Sequence, residues 1–370
     1  MIEKADSDAS PVVFSREPDR NRPYRDGTAD LLKGLAVLLM IQVHIMEQFV
    51  TTDTHGSVIG KVSMFLGGPA CAPVFLAVMG YFLAFSEKPL AYFLKRGGLL
   101  FLAGIFLNIG RSGHLLIEII RGETTLDPWF FIMGADILTL AGLSLIFTGL
   151  LRLILKHNGW LYLSAALLVA GITPLLNKIA SSGTVGVYIT AFFWGTSEWS
   201  YFPVFPWLGY VLAGYAFHLL LFQIPFLNRF DVQKQLLYII PLWIAIMITI
   251  PYASVITHNL SGPGGYYHHG ILFFIWTLLF MISYLVLVKL TEIIYGEQGV
   301  VMFIKWIGRK VTSLYVIQWL IIGNLATWLY CTQDLFQFAA WFILVTTATL
   351  VTGWLVEKAL KKLSEKKHAV

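Results

Sequence analysis

The sequence holds little charge: 13% of its 370 residues are Asp, Glu, Lys or Arg, against about 25% in an ordinary soluble domain. With 57% of the chain hydrophobic, too few polar side chains remain to cover a water-facing fold of this length, which excludes an ordinary cytoplasmic enzyme. Cysteine is nearly missing. Cys71 and Cys331 are the only two, so neither a disulfide framework nor a cysteine-based zinc site is available, and the pair allows at most one bridge. No internal repeat and no low-complexity tract interrupts the chain. A net charge of +5 would suggest nucleic acid in a soluble domain. In so apolar a chain the excess of Lys and Arg reflects membrane topology instead, and no nucleic-acid partner is expected.

What fills the sequence is long apolar runs. Residues 1–29 are polar, with Pro11, Pro18, Pro23 and the basic set Arg16, Arg20, Arg22 and Arg25, and read as a flexible tail. The first run starts near Leu31 and has no small-residue cleavage site after it, so it reads as a retained helix. Others follow at about 64–85, 91–109, 129–151, 159–176, 201–222, 236–256, 269–290, 304–329 and 336–356. Each is near the roughly 20 residues that a spanning helix needs and too long for a barrel strand. With the N-terminus inside, 22 of the 26 Lys and Arg residues fall in cytoplasmic segments and 4, Lys61, Arg111, Arg121 and Lys178, face out. The sequence therefore predicts an all-α, polytopic helical membrane protein of the cell membrane with about ten transmembrane helices and both termini cytoplasmic. Its parts are a tail at 1–29, a membrane domain at 30–357 and a basic tail at 358–370. The apolar but Gly-interrupted stretch near 184–195 allows one further short or re-entrant helix.

Ionisable residues inside spans are the informative ones, because each costs several kcal/mol unless it meets water or a partner. His44 follows Lys33 by eleven positions, close to three helical turns, so both project from one face with Val37 and Met40 or Ile41 between them. Glu47 shares that face and is placed to orient or charge the imidazole. Lys33 alone is better explained as a topological charge. Asp136, in the outer half of the fourth run, matches His44 in depth and is the natural carboxylate partner for it. The alternatives for Asp136 are a cap on a broken helix or a pair with a structural arginine. Glu198, followed by the proline-interrupted run Tyr201–Trp207, and His268 and His269, beside the Gly-rich loop at 261–265, suggest an outer mouth that holds an acceptor, with Trp207 in its wall. No carboxylate or cysteine completes a ligand set around those histidines, so no metal is expected. Tyr266, Tyr267, Trp199 and Tyr201 fit an interfacial aromatic belt. On the inner side Arg309 and Lys310 are placed to hold phosphates, as is Lys33.

Thr28-Ala29-Asp30-Leu31-Leu32-Lys33-Gly34-Leu35-Ala36 followed by His44 resembles the opening of the transmembrane acyltransferase superfamily, with the basic-x10-His spacing of its acyltransferase type 3 branch. Gly67–Tyr81 is similar to that family's second helix, and Trp306–Tyr315 to its late IGxxSLxxY helix. Tyr201–Tyr215 looks most like the bacterial heparan-alpha-glucosaminide N-acetyltransferase-like branch. Lys33 stands where relatives carry arginine, and Gln318 where many carry a second histidine. The resemblance implies that His44 is the acyl-transfer base or a transient acyl acceptor; the residues themselves offer Asp136 or Glu47 to balance its charge. It implies acyl-coenzyme A, most simply acetyl-coenzyme A, as a cytoplasmic co-substrate, whose pantetheine arm reaches His44 by a narrow channel from Lys33, Arg309 and Lys310. The acceptor is a hydroxyl or amine of an extracytoplasmic sugar or glycan, the other partners are membrane lipids, and a homo-oligomer is compatible with it. Two other readings stand beside this one: a proton-coupled secondary transporter or exporter in which His44, Asp136 and Glu47 relay protons, and an inactive scaffold.

Overall fold

The computed structural model describes residues 12–13, 26–179, 183–223, 229–230 and 232–368. Most of the expected N-terminal tail, and residues 369–370 of the C-terminal one, lie outside these. The fold is helical, and ten helical segments among the described residues are long and apolar enough to cross a membrane. They fall in the order of the ten apolar runs. Among the described residues strand pairing is limited to the two-residue segments Val12–Val13 and Arg229–Phe230 and an isolated bridge between Val50 and Gln333.

Helix α1 (Gly27–Gln48) starts where the Asp26 side chain accepts the Thr28 N–H at 2.9 Å, satisfying one of the donors that a helix start leaves free. It ends near the short α2 (Thr52–Gly56). The second span is two half-helices, α3 (Val58–Gly67) and α4 (Ala72–Ala84). They part at Gly67-Gly68-Pro69, where two poor helix formers meet a residue with no N–H. After α5 (Leu90–Arg111) and the amphipathic α6 (Gly113–Arg121) comes α7 (Pro128–Ile132).

The fourth span does not begin near Trp129, because residues 133–136 are not helical and α8 runs from Ile137 to Leu155 with Asp136 as its N-cap. Gly134 and Asp136 are residues that close one helix and open another, and here that local chemistry outweighs the apolar run. Next come α9 (Gly159–Leu176), α10 (Thr184–Ala191) and α11 (Val204–Gln223). The extra helix near 184–195 exists as α10, whose eight residues are too few to span. The chain continues through α12 (Val232–His258), α13 (Ile271–Tyr295), α14 (Gly299–Arg309), α15 (Val311–Leu329) and α16 (Leu335–His368). The expected ninth run thus covers two helices that meet at Lys310, of which α15 alone is long and apolar enough to span, and α16 carries the expected basic tail on as helix.

Helix α1 is the central element, packed by α3, α4, α13, α14, α15 and α16. Lipid gives helices no hydrophobic reason to associate, so close approach between small residues has to supply contact. Gly34 of α1 lies against the Ile304 carbonyl, and Gly308 of α14 against the Asp30 carbonyl, so tightly that a Cβ on either would overlap backbone. Gly80 of α4 and Gly214 of α11 meet the Val211 and Ala77 carbonyls in the same way. Trp207, Tyr210, Tyr215 and Phe274 are fully buried beyond that second crossing.

Gly308→Val is expected to cost at least the about 1–3 kcal/mol of an overpacked core, read as a lower thermal midpoint in detergent, since backbone cannot move aside as a side chain can. Gly98→Ala, where no atom lies within 4 Å of the added methyl, is the control. Equal melting of the two variants would show that the α1–α14 contact does not limit the fold.

Candidate acyl-transfer site

Five helix ends converge on a cavity of about 530 Å³ at the end of the bundle where α1 finishes. Its wall on α1 runs from Met40 through Val43, His44 and Glu47 to Gln48. Gly67, Cys71 and Ala72 enter at the α3–α4 break, Arg111 and Ser112 where α5 stops, and Asp136 and Ile137 where α8 starts. Helix α4 opens on this wall with no side-chain cap. Aromatic rings supply much of the remainder, including Tyr201, Tyr266, Tyr267, Tyr315 and Trp319. The volume suits a small molecule.

His44 packs against Trp319 with ring centroids 4.2 Å apart, and its Nδ1 has no hydrogen-bond partner among the described residues. The face of Trp319 also carries the Arg111 guanidinium, 4.6 Å from the ring centroid, with Tyr201 at 5.9 Å on the same cation. Arg111 in turn pairs with Asp136, Nη1 to Oδ2 at 3.5 Å, and both side chains are largely buried. Asp136 Oδ1 accepts the Ile137 N–H at 2.5 Å and the Tyr315 hydroxyl at 2.6 Å.

The loop that carries Asp136 is tied down on both sides. Asn108 donates to the Ile132 and Gly134 carbonyls at 3.1 and 2.8 Å. Ala135 N–H donates to Trp199, and Phe202 N–H donates to Ala135, at 2.8 and 2.7 Å.

The structure brings His44, Glu47 and Asp136 to one cavity, as their depths in the sequence suggest. It does not join them: no hydrogen bond links His44 to Asp136 among the described residues. Asp136 is both an N-cap and an arginine partner, so the two alternatives weighed for it from sequence are what its contacts are. Glu47 makes no ion pair or hydrogen bond among the described residues.

Trp207, His268 and His269 are buried and stand behind the wall rather than in it. The Trp207 indole donates to the Tyr267 carbonyl at 2.8 Å. His269 lies between the Tyr210 hydroxyl at 2.9 Å and the Tyr266 carbonyl at 2.7 Å, and the Tyr266 hydroxyl donates to Gly68 at 3.0 Å. These bonds hold in place the turn from which Tyr266 and Tyr267 face the cavity. Burial pushes both imidazoles down to about 4, so each is neutral near pH 7. Glu198 is exposed on the loop before α11, off the cavity wall.

Lys33 is at the opposite end of α1, paired with Asp30 at 2.8 Å and 5.7 Å from the Phe82 ring. The Gly308–Asp30 contact sets Arg309 and Lys310 beside that same first turn. Lys310 is paired with Glu357 at 2.6 Å, whereas Arg309 is exposed. The open channel expected along the α1 face is closed, because Val37 and Ile41, between Lys33 and His44, are fully buried. A second cavity of about 290 Å³ lies at the Lys33 end, lined by Asp26, Thr28 and Leu32 of the α1 end and by Val74, Val78 and Tyr81 of α4. Ala72 faces the first cavity and Val74 the second, two positions apart and so on opposite faces of α4.

The sequence model of a known family, described as the catalytic region of heparan-alpha-glucosaminide N-acetyltransferase, matches residues 25–247, more than half of the chain. The chain belongs to that family. It is therefore a multi-pass membrane acetyltransferase, and its family acts on glycans. No curated protein matches it. The region shared with the N-acetyltransferase family contains His44, Glu47, Arg111, Asp136 and Tyr201. Tyr266, Tyr267, Tyr315 and Trp319, which complete the cavity, lie beyond the match. Among the described residues no group of three or more His, Cys, Asp and Glu is placed to hold a metal ion.

Arg111, Tyr315 and Trp319 were not visible as site residues from sequence. Arg111 counted as an outward loop charge, and only its position at the last residue of a span, level with His44, set it apart. Losing Arg111 leaves Asp136 Oδ2 as a buried charge without a partner. Arg111→Met is expected to cost about 3–5 kcal/mol, and Arg111→Met with Asp136→Asn less than the two single losses added together. Strictly additive losses in thermal unfolding would show that the two groups are not coupled.

Proposed function

We propose that the chain moves an acetyl group from cytoplasmic acyl-coenzyme A to a hydroxyl or amine of an extracytoplasmic glycan, with His44 as the base. The observation that carries this is His44 itself, an imidazole with an unpartnered nitrogen on the wall of an aromatic cavity. In the reaction the acceptor's nitrogen or oxygen adds to the thioester carbonyl carbon while His44 takes its proton. The C–S bond then breaks and His44 returns that proton to the coenzyme A sulfur. Arg111 is the cation nearest the developing oxyanion. Asp136 acts at one remove: by holding Arg111 it keeps the Trp319 ring against His44.

The donor binds at the other end of α1, where the second cavity lies beside Asp26, Thr28 and Leu32. Arg309 offers an exposed guanidinium to the coenzyme A phosphates, and Lys33 and Lys310 exchange Asp30 and Glu357 for phosphate oxygens. Both termini are cytoplasmic in this reading, residues 30–357 are the transferring unit within the cell membrane, and Glu198 stands at the rim by which the glycan arrives. His268, His269 and Trp207 serve the acceptor indirectly, through Tyr266 and Tyr267.

His44→Ala is expected to lose at least the 10²–10⁴-fold that a positioned base contributes while keeping the melting behaviour of the wild type and its stabilisation by acetyl-coenzyme A. Turnover retained in that variant would refute the assignment.

A further inference from the structure

We propose that the second cavity, at the start of α1, holds one acyl chain of a membrane phosphoglyceride, whose ester carbonyl accepts a hydrogen bond from the Thr28 hydroxyl. Thr28 stands on the wall of this cavity, is 2% exposed, and its Oγ1 has no hydrogen-bond partner among the described residues. A buried hydroxyl without a partner is costly, and an acceptor brought by a ligand removes that cost. Thr28 lies in the first turn of α1, at the level where a lipid's polar head gives way to its chains.

The space has its origin in small residues. Gly80 and Gly214 bring α4 and α11 into backbone contact, and Ala77, Ala213 and Ala216 beside that crossing carry too little side chain to fill the flank toward α13. Leu278, Met281 and Leu285 of α13 close the slot from the other side. From Tyr81 to Val74 the slot follows α4 for about 10 Å at 1.5 Å per residue. Ile282, also on its wall, is 47% exposed on α13, so the slot opens toward the surrounding lipid.

The wall decides between occupants. Its polar members Asp26, Thr28 and Tyr81 stand together at the Lys33 end, and the rest is aliphatic or aromatic. Water needs two to four polar partners, which the depth of the slot does not offer. The amides of a pantetheine arm would lose their hydrogen bonds there. The phosphate-holding cations also face elsewhere. At 3.6 residues per turn Thr28, Ala29 and Leu32 lie on one side of α1, and Asp30 and Gly34, against which Gly308 packs, on the other. Arg309 and Lys310 therefore share an end of α1 with the slot but not a face. A hydrocarbon chain requires neither cation nor hydrogen bond, and one carbonyl at its head meets the one free hydroxyl. The slot has this chemistry whichever reaction the His44 cavity performs.

The test uses the full chain in nanodiscs of dioleoylphosphatidylcholine with a trace of a phosphatidylcholine that carries a diazirine midway along one acyl chain. After illumination the labelled residues are mapped by mass spectrometry of peptides. Label is expected on Val74, Ala213 or Ala216, which are buried from bulk lipid. Label confined to exposed positions such as Leu272 and Leu279 overturns the site. Ala216→Trp fills the slot and is expected to remove label from Val74, whereas Leu279→Trp, outside it, leaves that label in place. The wild type is expected to take the ester-linked probe about 3–10-fold better than its ether-linked analogue, the weight of one hydrogen bond, and Thr28→Val to lose that preference. Equal labelling of the wild type by both probes overturns the role of Thr28. Loss of the buried label on adding saturating acetyl-coenzyme A would give the slot to the donor and overturn the proposal. Should Ala216→Trp not fold, the wild-type map and the ester-over-ether ratio decide by themselves.

Discussion

The site depends on one buried ion pair. Arg111 ends α5, Asp136 starts α8 and Tyr315 comes from α15, so the contacts at 3.5 and 2.6 Å tie three helices together around the cavity. Two charges removed from water repay their desolvation only with good geometry and further hydrogen bonds. Asp136 has two such hydrogen bonds on Oδ1, from its own helix start and from the tyrosine, while Oδ2 faces Arg111 at 3.5 Å without one. The same pair bears on what surrounds His44: the guanidinium lies 4.6 Å from the Trp319 ring centroid, and Trp319 packs on the imidazole. It also leaves Glu47 as the one carboxylate of the cavity wall without a partner among the described residues.

The backbone breaks where the cavity is. The α3–α4 gap, the end of α5, the start of α8 and residues 201–202 before α11 all contribute to its wall. Irregular backbone inside a bilayer is tolerable only where protein or water covers its polar groups. A cavity and a set of broken helices therefore imply each other. Helix α1 stays unbroken through both halves, with one cavity at each end and Val37 and Ile41 packed between. Its close glycine contacts with α14 bring Arg309 and Lys310 to its first turn without widening the bundle.

Much of this was legible before folding. Apolar run length gave the ten spans because a bilayer of fixed thickness demands it, and His44 and Glu47 stood out because ionisable groups are rare there. Asp136 was legible as a site residue and misread in its setting. Gly134 and Asp136 already carried the signal for a helix start, but the surrounding apolar residues read as one continuous span. Arg111 was hidden among loop charges, since sequence cannot say that the last residue of α5 turns inward. Trp207, His268 and His269 were read as lining the mouth. They support it from behind, because aromatic and imidazole groups in a loop look the same from either side of a wall.

The sequence by itself determined how often the chain can cross a membrane, where Lys and Arg accumulate, and which side chains share the α1 face. Those follow from solvent and from helical periodicity, which act along the chain. Only the tertiary structure decided which carboxylate is neutralised and which is free, that the path from Lys33 to His44 is packed shut, and that Tyr266, Tyr267, Tyr315 and Trp319 close around the imidazole. These depend on helices far apart in sequence meeting at one depth, and no local pattern encodes such a meeting.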